Sequence, residues 1–135
     1  MAVARAATAA APVGRASAED EAMERTGTIV LRLDPKRLSN PDADLRYVIP
    51  DRLAEKSNHA ISDDGYDYGP GEIPLMFIFL RAEALDRAVP QVIDLLVTER
   101  LLGNDLTQGT VVAVQGEDGY RIVYPQGFDG AFVLP

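Results

Sequence analysis

Leu75-Met76-Phe77-Ile78-Phe79-Leu80 is an unbroken apolar run, and its reading decides the fold. Its length is that of a strand rather than a helix, and it is bounded by Pro74 and by Arg81. Alternation places Leu75, Phe77 and Phe79 on one face and Met76, Ile78 and Leu80 on the other. A half-exposed strand alternates apolar with polar residues, so this one is expected to be central and covered on both faces. The Thr110 to Gln115 stretch repeats the pattern, with Val111 and Ala113 opposite Val112 and Val114.

Outward from this strand the other elements follow. Glu83 to Leu102 reads as a long amphipathic helix, with Leu85, Val89, Val92, Ile93, Leu96 and Val97 on its buried side and Gly103 with Asn104 as its C-terminal cap. Upstream, Thr28 to Leu33 alternates and is β-branched, which predicts a strand ended by Asp34-Pro35. Pro41 to Ser57 reads as a helix, with Asp42 and Asp44 in its first turn and Leu45, Val48, Ile49 and Leu53 sharing a face. A short strand is expected near Ala60 to Tyr66. Gly116-Glu117-Asp118-Gly119 reads as a hairpin turn leading into a last strand over Tyr120 to Tyr124. The order β-α-β-β-α-β predicts an α+β fold, a ferredoxin-like βαββαβ sandwich with an extra C-terminal hairpin strand. Leu45-x-x-Val48-Ile49-Pro50 echoes Leu85-x-x-Ala88-Val89-Pro90 forty residues on, as two similar halves would.

In such a sandwich both helices cover one face of the sheet, and the apolar second face needs its own cover. Two covers are expected to compete: the C-terminal tail with Phe128, Phe132 and Leu134, or a second copy packed sheet to sheet as a homodimer. The dimer reading adds a ligand pocket lined by Met76, Ile78 and Val112.

The 135 residues suffice for one domain, 47% hydrophobic and 25% charged. Residues 26–135 are assigned to that single α+β domain. Residues 1–25 contain ten Ala and no large aliphatic beyond Met1 and Met23, and are expected to form a disordered Ala-rich tail. Arg5, Thr8, Pro12 and Arg15 interrupt any continuous apolar segment there, so a secretory signal is not expected. With no membrane-length apolar run and no Cys, a cytoplasmic chain without membrane attachment is the expectation. The absence of Cys excludes thiolate chemistry and disulfides, and a single His excludes a multi-His metal cluster. A net charge of −8 argues against nucleic acid as a partner.

Ser62-Asp63-Asp64-Gly65-Tyr66-Asp67-Tyr68-Gly69 is the most unusual polar stretch. It reads as an acidic, Tyr-bearing loop before the central strand. Asp63, Asp64, Tyr66, Asp67 and Tyr68 are the candidate partner-binding residues, because tyrosines anchor interfaces and carboxylates steer a basic protein partner. Clustered carboxylates also suit a hard divalent cation, with His59, Glu72 or Glu99 as further ligands or as a base, but the spacing does not match an EF-hand. No nucleophile elbow, phosphate loop or dinucleotide fingerprint is present. A non-enzymatic interaction protein with no cofactor, in the manner of a small acidic neutraliser of a basic partner, is therefore expected ahead of a dimeric ligand-binding domain or a carboxylate metalloenzyme.

Overall fold

The computed structural model describes residues 25–135. The tail expected over residues 1–25 therefore lies, but for Arg25, outside the described residues. Five strands and two α-helices follow one another in these residues: β1 (Gly27–Leu33), α1 (Leu45–Lys56), β2 (Ile61–Tyr68), β3 (Met76–Ala82), α2 (Leu85–Thr98), β4 (Thr110–Gly116) and β5 (Gly119–Tyr124). The strands form one antiparallel sheet in the order β2-β3-β1-β4-β5, so the fold is α+β. No helix among the described residues is long and apolar enough to cross a membrane.

The register explains the doubly apolar strands. β1 lies between β3 and β4, with Leu31 opposite Ile78 on one side and Val112 on the other. Residues opposite one another in a ladder share a face. Ile29, Leu31 and Leu33 thus join Met76, Ile78, Leu80, Val112 and Val114 under the helices. There they meet Leu45, Ile49 and Leu53 of α1 and Leu85, Val92, Leu95 and Leu96 of α2. Gly27 allows the close approach of α2, since a Cβ there would lie 2.6 Å from Leu85 Cδ1. Both prolines are tolerated within their helices at the loss of one backbone bond each. Pro50 and Pro90 are each the sixth residue of their helix, so the sequence echo marks equivalent positions.

The second face carries Val30, Arg32, Phe77, Phe79, Val111 and Ala113, and the C-terminal tail lies across it. Phe132 packs edge-on against Phe77 with ring centroids 6.3 Å apart, and sits 6.2 Å from the Tyr120 ring. The Arg32 guanidinium lies 5.4 Å from the ring centres of both Phe128 and Phe132, and its Nη1 donates to the Ala131 carbonyl at 2.6 Å. Of the two covers expected for this face, the structure supplies the tail. The ligand pocket expected on that face is corrected: Ile78 and Val112 are fully buried under the helices, and Met76 lies on the same side. The parity of the strand puts them on the helix face.

Three boundaries differ from the sequence expectation. α1 starts at Leu45, because the Asp42 carboxylate accepts from Asp44 N–H and holds residues 41–44 in a turn. α2 ends at Thr98, and Glu99 leaves it in an extended conformation. Leu101–Gly103 is a separate 3-10 turn with Leu102 at φ 52°, so Gly103 ends that turn and Asn104 caps it, and neither caps α2. Val97, expected to be buried, is exposed, while Ala88 and Leu95 fill the core. The third difference is β2, which runs past the short strand expected near Ala60 to Tyr66 and ends at Tyr68.

Candidate functional site

Among the described residues β2 forms one edge of the sheet and pairs only with β3. Its side chains are exposed from Ser62 to Asp67. The short strand expected near Ala60 to Tyr66 is thus present and continues through the acidic stretch to Tyr68, interrupted once: between Asp63 and Tyr66 the register slips, so Asp64 and Gly65 form a bulge. Gly65 takes φ +99°, a conformation that glycine adopts without penalty, and its N–H donates to Asp63 Oδ1 at 2.8 Å. The Asp67 carboxylate accepts from the Tyr68 N–H at 2.8 Å.

Strand parity separates the candidate residues. Asp63 is opposite Leu80, Tyr66 opposite Ile78 and Tyr68 opposite Met76, all on the helix face. Asp67 is opposite Phe77 and belongs to the other face. The five residues therefore line one edge, but the three carboxylates do not converge. Among the described residues, no group of three or more His, Asp or Glu side chains is placed to hold a metal ion. His59 is exposed and sits at φ +67°, its N–H donating to the Ala54 carbonyl as the helix ends. Its backbone role is turn formation after α1.

Tyr66 and Tyr68 instead build an aromatic cluster with α1. Tyr66 meets Tyr47 edge-on at 6.1 Å and Tyr68 at 5.8 Å. Arg46 lies over both Tyr47 and Tyr66, 4.7 and 4.6 Å from the ring centres, and its Nη1 donates to the Tyr68 hydroxyl at 3.0 Å. That hydrogen bond holds the Arg46 pKa above its ordinary value. The Tyr66 phenol is likewise raised, chiefly by a hydrogen bond with Tyr47 and against the pull of Arg46. Both directions favour a charged Arg46 beside a neutral Tyr66 phenol near neutral pH. The sequence reading did not single out Arg46 or Tyr47. Their signal was available in the spacing, since Tyr47 sits on the exposed side of a helix with a known buried stripe.

Beyond Tyr68 the edge opens onto a cavity of about 240 Å³. Its walls come from the end of β1 (Leu33), the following turn (Pro35, Leu38), the entry to α1 and the 72–76 segment with Ile73 and Met76. Tyr68 and Glu72 supply polar groups in an otherwise aliphatic lining. Ligand sites for drug-sized molecules occupy roughly 300–1,000 Å³, so this cavity suits a side chain better than a nucleotide.

Glu99, weighed as a metal ligand, has another role. It accepts from Arg52 Nε at 2.8 Å and from Lys56 Nζ at 2.9 Å, and so ties the end of α2 to α1. Arg52 also pairs with Glu55. The hydrogen bond from Arg52, then that from Lys56, holds the Glu99 carboxyl below the ordinary value of 4.5. A depressed folded-state pKa adds stability that is complete above the unfolded value and lost as pH falls through the folded one. Glu99→Gln is expected to lower stability at pH 7 by roughly 0.5–1 kcal/mol, with the gap to wild type closing below about pH 4. Urea unfolding at pH 7 and pH 3 checks this, and an equal deficit at both values would contradict it.

Comparison with family models, with curated proteins and with solved structures found no match to the chain.

Proposed function

We propose that this chain is a non-enzymatic interaction protein that holds a basic, extended segment of another protein along the outer edge of β2, in the manner of a small acidic neutraliser of a basic toxin or nuclease. The carrying observation is that a strand whose outer edge has no strand partner among the described residues bears Asp63, Asp64 and Asp67, all exposed. An open edge presents backbone N–H and C=O groups to which an added strand can bond, and the flanking side chains then select the sequence. Carboxylates select lysine and arginine. The same charges oppose pairing with a second copy, since two such edges would set like charges against each other. Phosphates are repelled for the same reason, which disfavours nucleic acid. The tail over the second sheet face removes the need for a dimer there.

The fold reading that accompanies this is ferredoxin-like. Its support is the β-α-β-β-α-β order with β2-β3-β1-β4 as neighbours and β5 added by a hairpin.

A capped ten-residue peptide alternating lysine and threonine tests the proposal. Threonine favours an extended backbone, and the lysines supply charge. Replacing Asp63, Asp64 and Asp67 together with Asn is expected to weaken its binding about tenfold at low salt, three exposed pairs at about 0.5 kcal/mol each. Salt should produce a similar loss in the wild type. Equal affinity for the wild type and the triple variant would rule out the acidic edge as the docking site.

A further inference from the structure

The cavity at the end of β2 is the second feature of this edge, and we propose that it is the pocket for a lysine side chain of the bound segment. This rests on the edge-strand reading and names the residue type that fixes its register. Tyr68 is both the last residue of β2 and part of the cavity wall, so a strand laid along the edge reaches the mouth without a turn. The walls are aliphatic and proline side chains such as Leu33, Leu38 and Met76, which suit a methylene stem. A lysine buries its stem in such a lining while its ammonium stays near the rim. Of the two polar residues in the lining, Tyr68 already accepts from Arg46 Nη1 through its hydroxyl, so the Glu72 carboxylate is the group left to meet the ammonium. Glu72 is exposed, and the chain's net charge of −8 favours a cationic occupant over an anionic one. A neutral aliphatic side chain would fill the same walls but leave the carboxylate unanswered. The compact ammonium of lysine asks less room of a cavity of about 240 Å³ than the planar guanidinium of arginine.

The full chain is titrated with n-pentylammonium, which reproduces the lysine stem from Cα to Nζ, and with 1-pentanol as its neutral counterpart. Methyl NMR of Met76, Leu38 and Ile73 reports occupancy. The ammonium is expected to saturate these shifts at least about threefold below the alcohol, since one exposed ion pair contributes a fraction of a kcal/mol. Glu72→Gln is expected to bring the two ligands level, while the Asp63, Asp64 and Asp67 triple variant keeps the preference although it removes more charge. Shifts that are absent, spread over distant methyls, equal for the two ligands or unaltered in Glu72→Gln would overturn the lysine pocket. The peptide result with the triple variant reports on the edge alone, so failure of the edge and failure of the pocket are read separately.

Discussion

Asn104→Ala is expected to destabilise the protein by roughly 1–3 kcal/mol, the cost of removing the three hydrogen bonds of a fully buried amide and leaving the Asn40 N–H without its partner. Asn104 is fully buried. Its Oδ1 accepts from the Asn40 N–H at 2.8 Å, and its Nδ2 donates to the Asn40 carbonyl at 2.8 Å and to Leu101 O at 3.2 Å. Asn40 precedes α1 and Asn104 follows α2, so one amide clasps the entry of the first helix to the exit of the second. Alanine removes both halves of the clasp and leaves a void. Asn104→Asp keeps the acceptor but turns an oxygen toward two carbonyls. Its folded-state pKa must then lie above the unfolded value of about 3.9. The stability of that variant should therefore be best below pH 4 and fall as pH rises through the folded pKa. Urea midpoints at constant slope measure both effects. An Asn104→Ala midpoint within error of wild type would show that the clasp carries little.

Deleting residues 126–135 should cost on the order of 3–5 kcal/mol, summed over partial burial of Phe128, Phe132 and Leu134, their ring contacts and the Arg32 interactions. That is a large part of the stability of an ordinary domain of this size. The loss also uncovers Val30, Phe77, Phe79 and Ala113, a contiguous apolar surface that a soluble chain does not leave bare. Self-association should follow wherever the truncated chain stays folded. Arg32 is pulled below its ordinary pKa by burial, and truncation returns it to water while stripping its cover. Thermal melting and sedimentation of the truncated chain report both consequences. An unchanged melting temperature with an unchanged mass would contradict the strap.

The sheet was legible where its strands are apolar on both faces. The 76–82 and 110–116 strands announce themselves because no other element buries so short a run so completely. β2 was not legible over its full length, because Asp and Gly are poor strand formers and read as turn chemistry. An edge strand with a bulge can hold them, since its outer side faces water. The strand expected near Ala60 to Tyr66 covers its first part, and the register with β3 carries it on to Tyr68. α2 was overextended because the apolar period runs on through Leu101 and Leu102, whereas Glu99 leaves the helix for Arg52 and Lys56. Asn104 read as a local cap, and its partner at Asn40 lies 64 residues away, a pairing that no local pattern encodes. The cavity draws its walls from several separate segments and has no sequence signature. The five candidate residues do share one element, but the alternation that divides them between two faces follows only from the register with β3.

The most direct test of the edge-docking account is backbone amide NMR of the full chain with the lysine–threonine peptide. If the peptide adds to the sheet, the largest shifts and the greatest gain in exchange protection fall on Ile61 to Tyr68, with β5 at the opposite edge unaltered. Perturbation centred on β5, on the tail or on exposed helix residues, with β2 amides unchanged, would contradict it.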